Sequence, residues 1–223
     1  AVEIQVEIPE GKATRTVHMT HLGPVVAGQG TPWTDENVYV IRDVNYENYR
    51  SSDQYRDISN ARNVEELRSA LATYQGAAFV NTIAADRDGG ALYADMSAIP
   101  NVSAELLERC AVDTGNPRVI TLNGSDPSFD WQVDPAAAYP GLMPPTEQPS
   151  LITDTYVSNS NDSYWLSNPD IRLEGFSPII GDEQTTRSLR TRAGLVMVDE
   201  VISSGEKFTQ QKVKDLLFNH RHY

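Results

Sequence analysis

Residues 78–96 read AFVNTIAADRDGGALYADM, two apolar runs on either side of a short acidic segment. The segment 86–90, DRDGG, ends in two glycines, which accept the positive φ angles of tight turns. The flanking runs, 78–85 and 91–96, have the length and apolar character of buried strands. This stretch therefore predicts a hairpin of two buried strands.

The acidic residues of that turn have a second interpretation. Asp86 and Asp88 could belong to a calcium-binding loop, in which carboxylates alternate along the chain. Such a loop also needs a later bidentate Glu, which the spacing here lacks, whereas acidic residues are common in turns. We therefore interpret 86–90 as a turn.

Before the hairpin, the apolar residues recur with the period of a helix. Asn63 is followed three residues later by Glu66, which is the pattern of a capping box, and Gly76 marks the end of the pattern. We therefore expect an amphipathic helix here. Its apolar stripe consists of Val64, Leu67, Ala70, Leu71 and Tyr74.

Strands are also predicted near the N-terminus. Residues 2–8 alternate apolar and polar side chains, which is the period of a half-buried strand, and 15–20 completes a hairpin with them. Another strand is predicted at 38–43, followed by a polar stretch to about Ser59. Residues 100–149 are rich in Pro, Gly, Asp and Asn and predict an irregular excursion over a surface.

Further helices are predicted in the second half of the chain. A short one lies near 103–109, and the last helix is capped by Thr209. Between them, a longer helix begins near Thr185. Its apolar stripe consists of Leu189, Ala193, Val196, Met197 and Val201.

The composition narrows the classes of function. The chain has 223 residues, with 18 Lys and Arg against 31 Asp and Glu, so its formal net charge is −13. A field of this sign repels nucleic acids and anionic membrane surfaces, and no apolar run approaches the roughly 18 residues that a membrane helix needs. With 39% hydrophobic residues the chain is too apolar for disorder. We expect a globular protein that binds neither nucleic acid nor membrane.

The common catalytic motifs are absent from the sequence. It contains no Gly-x-Ser-x-Gly, no His-Glu-x-x-His and no Gly-x-x-x-x-Gly-Lys. Its four histidines, at positions 18, 21, 220 and 222, crowd the two ends. His21 lies beside a turn and Cys110 has no nearby histidine, so we interpret both as structural. A single cysteine cannot form an internal disulfide, and it leaves the redox compartment open.

The segment 159–163, NSNDS, has two interpretations. Clustered Asn, Asp and Ser side chains normally cap a turn. An Asn amide can also donate a hydrogen bond to a developing alkoxide, which is what an oxyanion hole requires. These residues alone leave both interpretations open.

A wider resemblance begins at this segment. The stretch 156–169, YVSNSNDSYWLSNP, followed by RSLRTR at 187–192, resembles the penicillin amidase family of N-terminal nucleophile hydrolases. The chain is most similar to the branch of acyl-homoserine-lactone acylases and aculeacin-type acylases. Four further stretches fit this branch and extend the resemblance over nearly the whole chain: HLGPVV at 21–26, VNTIAAD at 80–86, DW with DPAA within 130–137, and FNH at 218–220.

The resemblance implies an α+β fold, part of a four-layer α-β-β-α sandwich with mainly antiparallel strands. It also implies a secreted or periplasmic amidohydrolase that is made as one precursor and cleaves itself into two subunits. The N-terminal Ser of the larger subunit is the nucleophile and, through its α-amino group, the general base, so no histidine is needed. Residue 1 here is Ala, so we expect the Ser in another segment and no activity from this chain alone.

Two residues receive catalytic roles from the resemblance. Asn161 matches the Asn whose side chain binds the oxyanion of the tetrahedral intermediate, and Arg187 matches the Arg that supports the site near the nucleophile's amine. Asn159 and Asp162 are expected to hold the turn. The Asn161 amide and the Arg187 guanidinium should then converge on one open cleft edge. We expect no cofactor; a structural calcium ion in the parent protein is left open, with Asp170 as its candidate ligand.

The two ends of the chain look cut, so we expect residues 1–223 to be one internal fragment of the nucleophile-bearing beta subunit. Within it, 1–100 should hold strands and one helix, 101–150 the irregular excursion, and 151–223 the oxyanion loop and helices. The expected partners are a small acyl amide, with N-acyl homoserine lactones first, and the remaining segments of the same precursor, the alpha subunit and the rest of the beta subunit. Exposed strand edges also predict self-association. The alternative is a non-catalytic extracellular binding domain with a well-capped loop.

Overall fold

The computed structural model describes residues 1–28, 30–115, 119–219 and 221. His220 of the FNH stretch and the histidine at 222 lie outside the described residues. The elements are β1 (Val2–Ile8), β2 (Gly11–Val17), β3 (Met19–Thr20), β4 (Gly23–Val26), β5 (Tyr39–Val40), α1 (Ser51–Asn60), α2 (Val64–Tyr74), β6 (Thr82–Ala85), β7 (Ala91–Ala94), α3 (Ala104–Cys110), β8 (Ser150–Thr153), α4 (Leu189–Ser203) and α5 (Gln210–Phe218).

The chain divides into two compact units. One consists of Ala1–Asn48 with Glu105–Trp131, and the other of Tyr49–Ala104 with Gln132–Tyr223. Helices and antiparallel sheets occur together in the chain, so the predicted α+β class is confirmed. None of the helices in the described part of the chain combines the length and apolar character needed to cross a bilayer.

The first unit contains two small sheets. β1 and β2 form the predicted hairpin in continuous antiparallel register, although β2 begins at Gly11 and not at residue 15. Residues directly opposite each other share a face, so the apolar residues of β1 line one face of the hairpin. That face is exposed along its whole length in β1. β3, β4 and β5 form a second antiparallel sheet, in which β5 is shorter than the predicted strand at 38–43.

The core of the second unit lies between α2 and the sheet β6-β7-β8. β7 is the central strand, paired antiparallel on both sides, and all four of its residues are buried. Leu92 of β7 belongs to one buried cluster with Val64 and Leu71 of α2. The predicted hairpin of β6 and β7 is confirmed, but only β7 is buried as predicted: β6 begins at Thr82, and its Ile83 is 53% exposed. The helix covers one face of the sheet, and the other face of β6 remains open.

The predicted amphipathic helix is α2. Its N-cap is Asn63, whose side chain accepts a hydrogen bond from the backbone N–H of Glu66 at 2.8 Å, as predicted. At the other end, Gln75 and not Gly76 adopts the left-handed conformation, with φ 42°. Gly76 is required for a different reason, since a Cβ there would lie 2.6 Å from the backbone of Arg50. The helix therefore ends one residue earlier than the glycine suggested.

The turn 86–90 lies between β6 and β7 and is joined by a hydrogen bond to the start of α2. One carboxylate oxygen of Asp86 accepts hydrogen bonds from the backbone N–H groups of Asp88 and Gly90, each at 2.9 Å. The other accepts from the N–H of Val64, the first residue of α2, at 3.2 Å. These hydrogen bonds lower the pKa of Asp86, and the one from Gly90 has the largest effect on it. The interpretation of this segment as a turn is confirmed.

Two elements of the second unit were not predicted. α1 lies mostly in the stretch described from the sequence only as polar, so the prediction of one helix within 1–100 is wrong. Its buried contact is made by a glutamine, since Gln54 is 1% exposed and accepts a hydrogen bond from the N–H of Gly76 at 2.6 Å. A helix held by a polar side chain leaves no apolar period to read. β8 is only four residues long and is ordered by its pairing with β7.

Cys110 is the last residue of α3 and is 2% exposed. Its thiol donates to the backbone carbonyl of Leu106 at 2.8 Å, and burial raises the pKa of the thiol. A thiol held in this way is a poor nucleophile, so its interpretation as a structural residue is confirmed.

Candidate active site

The segment 159–163 forms a tight turn before the one-turn 3-10 helix Tyr164–Leu166. The side-chain oxygen of Asn159 accepts a hydrogen bond from the backbone N–H of Asn161 at 2.9 Å, and Ser163 caps the 3-10 helix. Asn161 has a φ of 53°, in the left-handed region. Asn occupies that region more readily than most residues, because its short side chain can bond locally. The backbone thus sets the direction in which Asn161 projects.

The Asn161 side chain is exposed, and only its oxygen is engaged. Oδ1 accepts a hydrogen bond from the guanidinium of Arg190 in α4 at 3.4 Å, and the same nitrogen of Arg190 donates to the backbone carbonyl of Ser160. A guanidinium can only donate, so the amide oxygen faces it. Over the described ranges, Nδ2 of Asn161 has no hydrogen-bond partner. The N–H groups of this amide are therefore free to bind a ligand.

Arg187 lies just before α4 and is 7% exposed. Its guanidinium donates to the carbonyl of Thr185 at 3.0 Å, to the hydroxyl of the same residue, and to Oδ1 of Asp162 at 3.0 Å. The ring centre of Trp165 lies 5.5 Å from the guanidinium carbon, within the range of cation–π attraction. All three nitrogens of Arg187 thus have partners inside the protein.

Asp162 connects the turn to α4. Its Oδ1 accepts from Arg187 and from the backbone N–H of Ser163, both at 3.0 Å. Its Oδ2 accepts from the backbone N–H of Ser188 at 3.0 Å and from the hydroxyl of Thr191 at 2.6 Å. Burial alone would raise the pKa of Asp162, but these hydrogen bonds and the charge of Arg187 outweigh it and lower the pKa to about 2.

The two residues predicted for the site, Asn161 and Arg187, belong to one network. Arg187 forms an ion pair with Asp162, the neighbour of Asn161 in the chain. Asn159 and Asp162 hold the turn, as predicted. The expectation that both groups reach an open edge is wrong for Arg187, whose side chain is 5% exposed. Asn161, in contrast, is exposed.

Sequence reasoning missed three contributors to this network, all at the start of α4. Ser188 is the N-cap of α4 and accepts a hydrogen bond from the N–H of Thr191 at 3.2 Å. This signal was readable, because a Ser before an apolar helical stripe is a common N-cap. The contacts of Arg190 and Thr191 with the turn were not readable, because they join residues that lie 29 or 30 positions apart.

A second polar cluster surrounds the end of β7. Asn81 donates to the hydroxyl of Tyr93 at 3.0 Å and to the carboxylate of Asp95. Burial raises the pKa of Asp95 to about 6, against the lowering effect of the hydrogen bond from Asn81. Asp95 therefore changes its charge in mildly acidic solution.

Asp170, the candidate calcium ligand, is exposed, and its backbone N–H donates to the side chain of Asn168 at 2.9 Å. Throughout the portion of the chain that the structure describes, no group of three or more His, Cys, Asp or Glu side chains is placed to hold a metal ion.

The sequence of the chain is similar to those of known proteins. The family model described as penicillin amidase matches residues 1–223. The chain is 38% identical to aculeacin-A acylase of Actinoplanes utahensis over 229 residues, which cover 98% of the chain and 29% of that relative. It is 36% identical to the acyl-homoserine lactone acylase PvdQ of Pseudomonas fluorescens strain Pf-5 over 196 residues, which cover 86% of the chain and 25% of that relative.

A similar match is found with the acyl-homoserine lactone acylase PvdQ of Pseudomonas putida strain KT2440, which is 35% identical over 202 residues. These cover 90% of the chain and 26% of that relative. The chain thus spans less than a third of the length of each of these relatives, but nearly all of it is matched. With the family model matching from the first residue to the last, the chain belongs to the penicillin amidase family.

Proposed function

We propose that this chain is part of an amidohydrolase that cleaves the amide between an acyl chain and a polar amine. The support is its family and the names of its relatives, which are acylases of aculeacin A and of acyl homoserine lactones. N-acyl homoserine lactones are the leading substrate class, ahead of cyclic lipopeptides and β-lactam side chains. The chain spans 29% and 25% of two relatives, so the activity is proposed for the complete protein.

In the proposed reaction, a Ser at a subunit N-terminus attacks the amide carbonyl. Its α-amino group, which titrates near pH 8, takes the hydroxyl proton and later gives it to the departing amine. Water then hydrolyses the acyl-enzyme by the same route. On the family resemblance, we assign this Ser to another segment of the same precursor and expect this chain alone to be inactive.

The observation that carries the proposal is the free amide of Asn161. Its oxygen is bound by Arg190 and its backbone N–H by Asn159, so the remaining amide hydrogens have a set direction. A donor held in this way needs little reorganisation when negative charge develops on the carbonyl oxygen. One such donor contributes about 3–4 kcal/mol of transition-state stabilisation.

We assign Arg187 a supporting role without contact to the reacting atoms. Its guanidinium is buried and its donors are taken by Thr185 and Asp162. Buried arginine with a paired carboxylate is rigid, and this rigidity suits the support of a neighbouring donor.

The finer architecture is proposed from the family resemblance. Residues 1–223 would form one part of the beta subunit within a four-layer α-β-β-α sandwich, completed by the alpha subunit and the rest of the beta subunit. The exposed apolar face of β1, where Val2, Ile4, Val6 and Ile8 are 41–49% exposed, supports its covering by another segment or by a second copy. A periplasmic or secreted location is proposed on the resemblance alone.

The alternative of a non-catalytic binding domain is not favoured, since the relatives compared above are all named acylases. A capped turn and an oxyanion donor also make different demands on Asn161. A turn needs only its backbone, whereas catalysis needs the free amide.

The test uses the complete precursor and its Asn161→Ala variant, assayed on N-acyl homoserine lactones of several chain lengths. We expect kcat to fall about 10²–10³-fold, with a much smaller change in KM, because the amide binds the oxyanion more strongly than the substrate carbonyl. Asn60→Ala is the matched control, since Asn60 is also exposed but donates within its own helix at 2.9 Å. Equal turnover by the Asn161→Ala variant and the unmodified enzyme would contradict the proposal.

A further inference from the structure

The proposed reaction makes no direct use of Asp162, yet this carboxylate accepts hydrogen bonds from four different residues. Three of the donors, Arg187, Ser188 and Thr191, lie at the start of α4, between 25 and 29 positions away in the chain. α4 is 15 residues long and is the longest helix described. One side chain thus joins the turn 159–163 to the N-terminal end of a long helix.

The start of α4 suits a negative charge. Helix N-termini carry a partial positive charge and unpaired N–H groups, both of which favour a carboxylate. Arg187 adds a full positive charge, and it is only 7% exposed. Removal of Asp162 would leave that buried charge without its ion-pair partner, which is far more costly than the loss of an exposed pair.

An amide in place of this carboxylate would leave one backbone N–H group without an acceptor. Oδ1 faces the backbone N–H of Ser163 and Oδ2 faces the backbone N–H of Ser188. In an Asp162→Asn variant, one of these N–H groups would face the amide nitrogen, which only donates, whichever way the side chain is turned. Backbone donors cannot rotate away as hydroxyl groups can. The turn would therefore shift relative to α4.

Asn161 would move with the turn, because it precedes Asp162 by one peptide unit. Its side-chain oxygen is bound by Arg190, which also belongs to α4. The backbone and the amide of Asn161 are therefore both held relative to the same helix end. A donor displaced by about 1 Å from the reacting oxygen can lose about 10²-fold in rate.

We propose that Asp162 is a positioning residue that determines where the Asn161 amide lies, and that Arg187 acts on catalysis through Asp162. The inference rests on the proposed function of Asn161 and adds a separate claim about how this amide is held. It assigns no contact with substrate to Asp162 or Arg187.

The first test is the Asp162→Asn variant of the complete precursor, assayed with N-decanoyl homoserine lactone. We expect kcat to fall about 10–100-fold while KM changes less than about threefold, as for loss of an interaction made in the transition state. Asp199→Asn is the matched control, because Asp199 is an exposed acid of α4 and accepts none of the hydrogen bonds of this network. A normal kcat in Asp162→Asn would overturn the proposal.

A milder pair of variants keeps the test valid where Asp162→Asn fails to fold. Thr191→Val removes one donor to Asp162 with little change in shape, and Thr191→Ser keeps the hydroxyl. We expect kcat to fall about 3–10-fold in the valine variant, and the serine variant to recover most of it. Equal kcat values for these two variants would overturn the proposal.

A double-mutant cycle separates positioning from a general effect on folding. If Thr191 and Asp162 act through Asn161, Thr191→Val should change kcat less than about twofold when combined with Asn161→Ala. If Thr191→Val lowered kcat by the same factor in the unmodified enzyme and in the Asn161→Ala variant, the proposal would be overturned while the function of Asn161 stayed intact. Full activity of Asn161→Ala alone would instead remove the proposed function, and this inference with it.

Discussion

The hairpin of β1 and β2 and the hairpin of β6 and β7 were both predicted as strands, β1 from alternating side chains and β7 from an apolar run, and their surroundings are opposite. Every residue of β1 is exposed, whereas every residue of β7 is buried. β7 has a strand on each side and α2 on its face, while β1 is paired with β2 alone. A local pattern therefore selects the extended backbone, and neighbouring elements decide whether the side chains are buried.

The difference also indicates where the stability of the chain lies. A two-stranded hairpin is marginal in water, whereas three strands packed on a helix bury enough apolar surface to be stable. Ile4 of β1 is 43% exposed and Leu92 of β7 is 0% exposed. The free energy of unfolding should thus respond strongly to changes in the second hairpin and weakly to changes in the first.

The largest effect is expected for Leu92→Ala, which should lower the free energy of unfolding by about 2–5 kcal/mol. Leu92 is fully buried beside Val64 and Leu71, so its loss leaves a cavity. Urea unfolding measures the change. Leu92→Met, which conserves volume, is the control and should cost less than about 1.5 kcal/mol. A loss below about 1 kcal/mol for the alanine variant would contradict the conclusion that the free energy of unfolding depends strongly on the second hairpin.

The next effect concerns Asp95, which follows β7. Burial raises the pKa of Asp95 to about 6, so the folded state binds a proton more readily than the unfolded state does. The free energy of unfolding should therefore rise as the pH falls from about 7 to about 4, by about 2 kcal/mol from this group. Asp95→Asn should remove this rise in urea unfolding measured across that range.

Asp88→Asn serves as the control for that measurement, because Asp88 is an exposed acid in the turn between the same two strands. It should leave the pH dependence as it is in the unmodified chain. An unchanged pH dependence in Asp95→Asn would show that the charge at the end of β7 is not what responds to acid.

The smallest effect is expected in the first hairpin. Ile4→Thr replaces an exposed β-branched residue with another, so the free energy of unfolding of the 223-residue chain should change by less than about 0.5 kcal/mol. In the complete precursor the same substitution should cost about 1–3 kcal/mol, since we propose that another segment covers this face. Equal small effects in both proteins would contradict that covering.

The elements that could be predicted carry their signal in adjacent residues. The Asn63 cap, the apolar stripe of α2 and the glycine turn at 86–90 were all readable in short windows. α1 was not, because Gln54 holds it through a hydrogen bond to Gly76, 22 positions away, and no apolar period accompanies it. β8 was missed because its four residues, unlike those of β6 and β7, do not lie in a longer apolar run beside a glycine turn.

In the candidate site too, some features could be predicted from the sequence and others could not. Residue types known to cap turns indicated a turn at 159–163 as one of two interpretations, and the roles of Asn159 and Asp162 in holding it came with the family resemblance. The family resemblance supplied Asn161 and Arg187, but no pattern told that Arg187 is buried or that Arg190 binds the Asn161 amide. Those facts depend on how α4 meets the turn, which local sequence does not encode.

The low pKa of Asp162, about 2, has a consequence for how rate measurements against pH should be interpreted. Its contribution to stability is complete above the usual pKa of an aspartate and fades only as the solution approaches that low value. The hydrogen bonds by which Asp162 holds the turn are consequently unchanged over the whole pH range in which an acylase would be assayed. A decline in turnover on mild acidification would then report groups other than Asp162, namely the attacking group's own base or Asp95, and the oxyanion donor could be treated as constant.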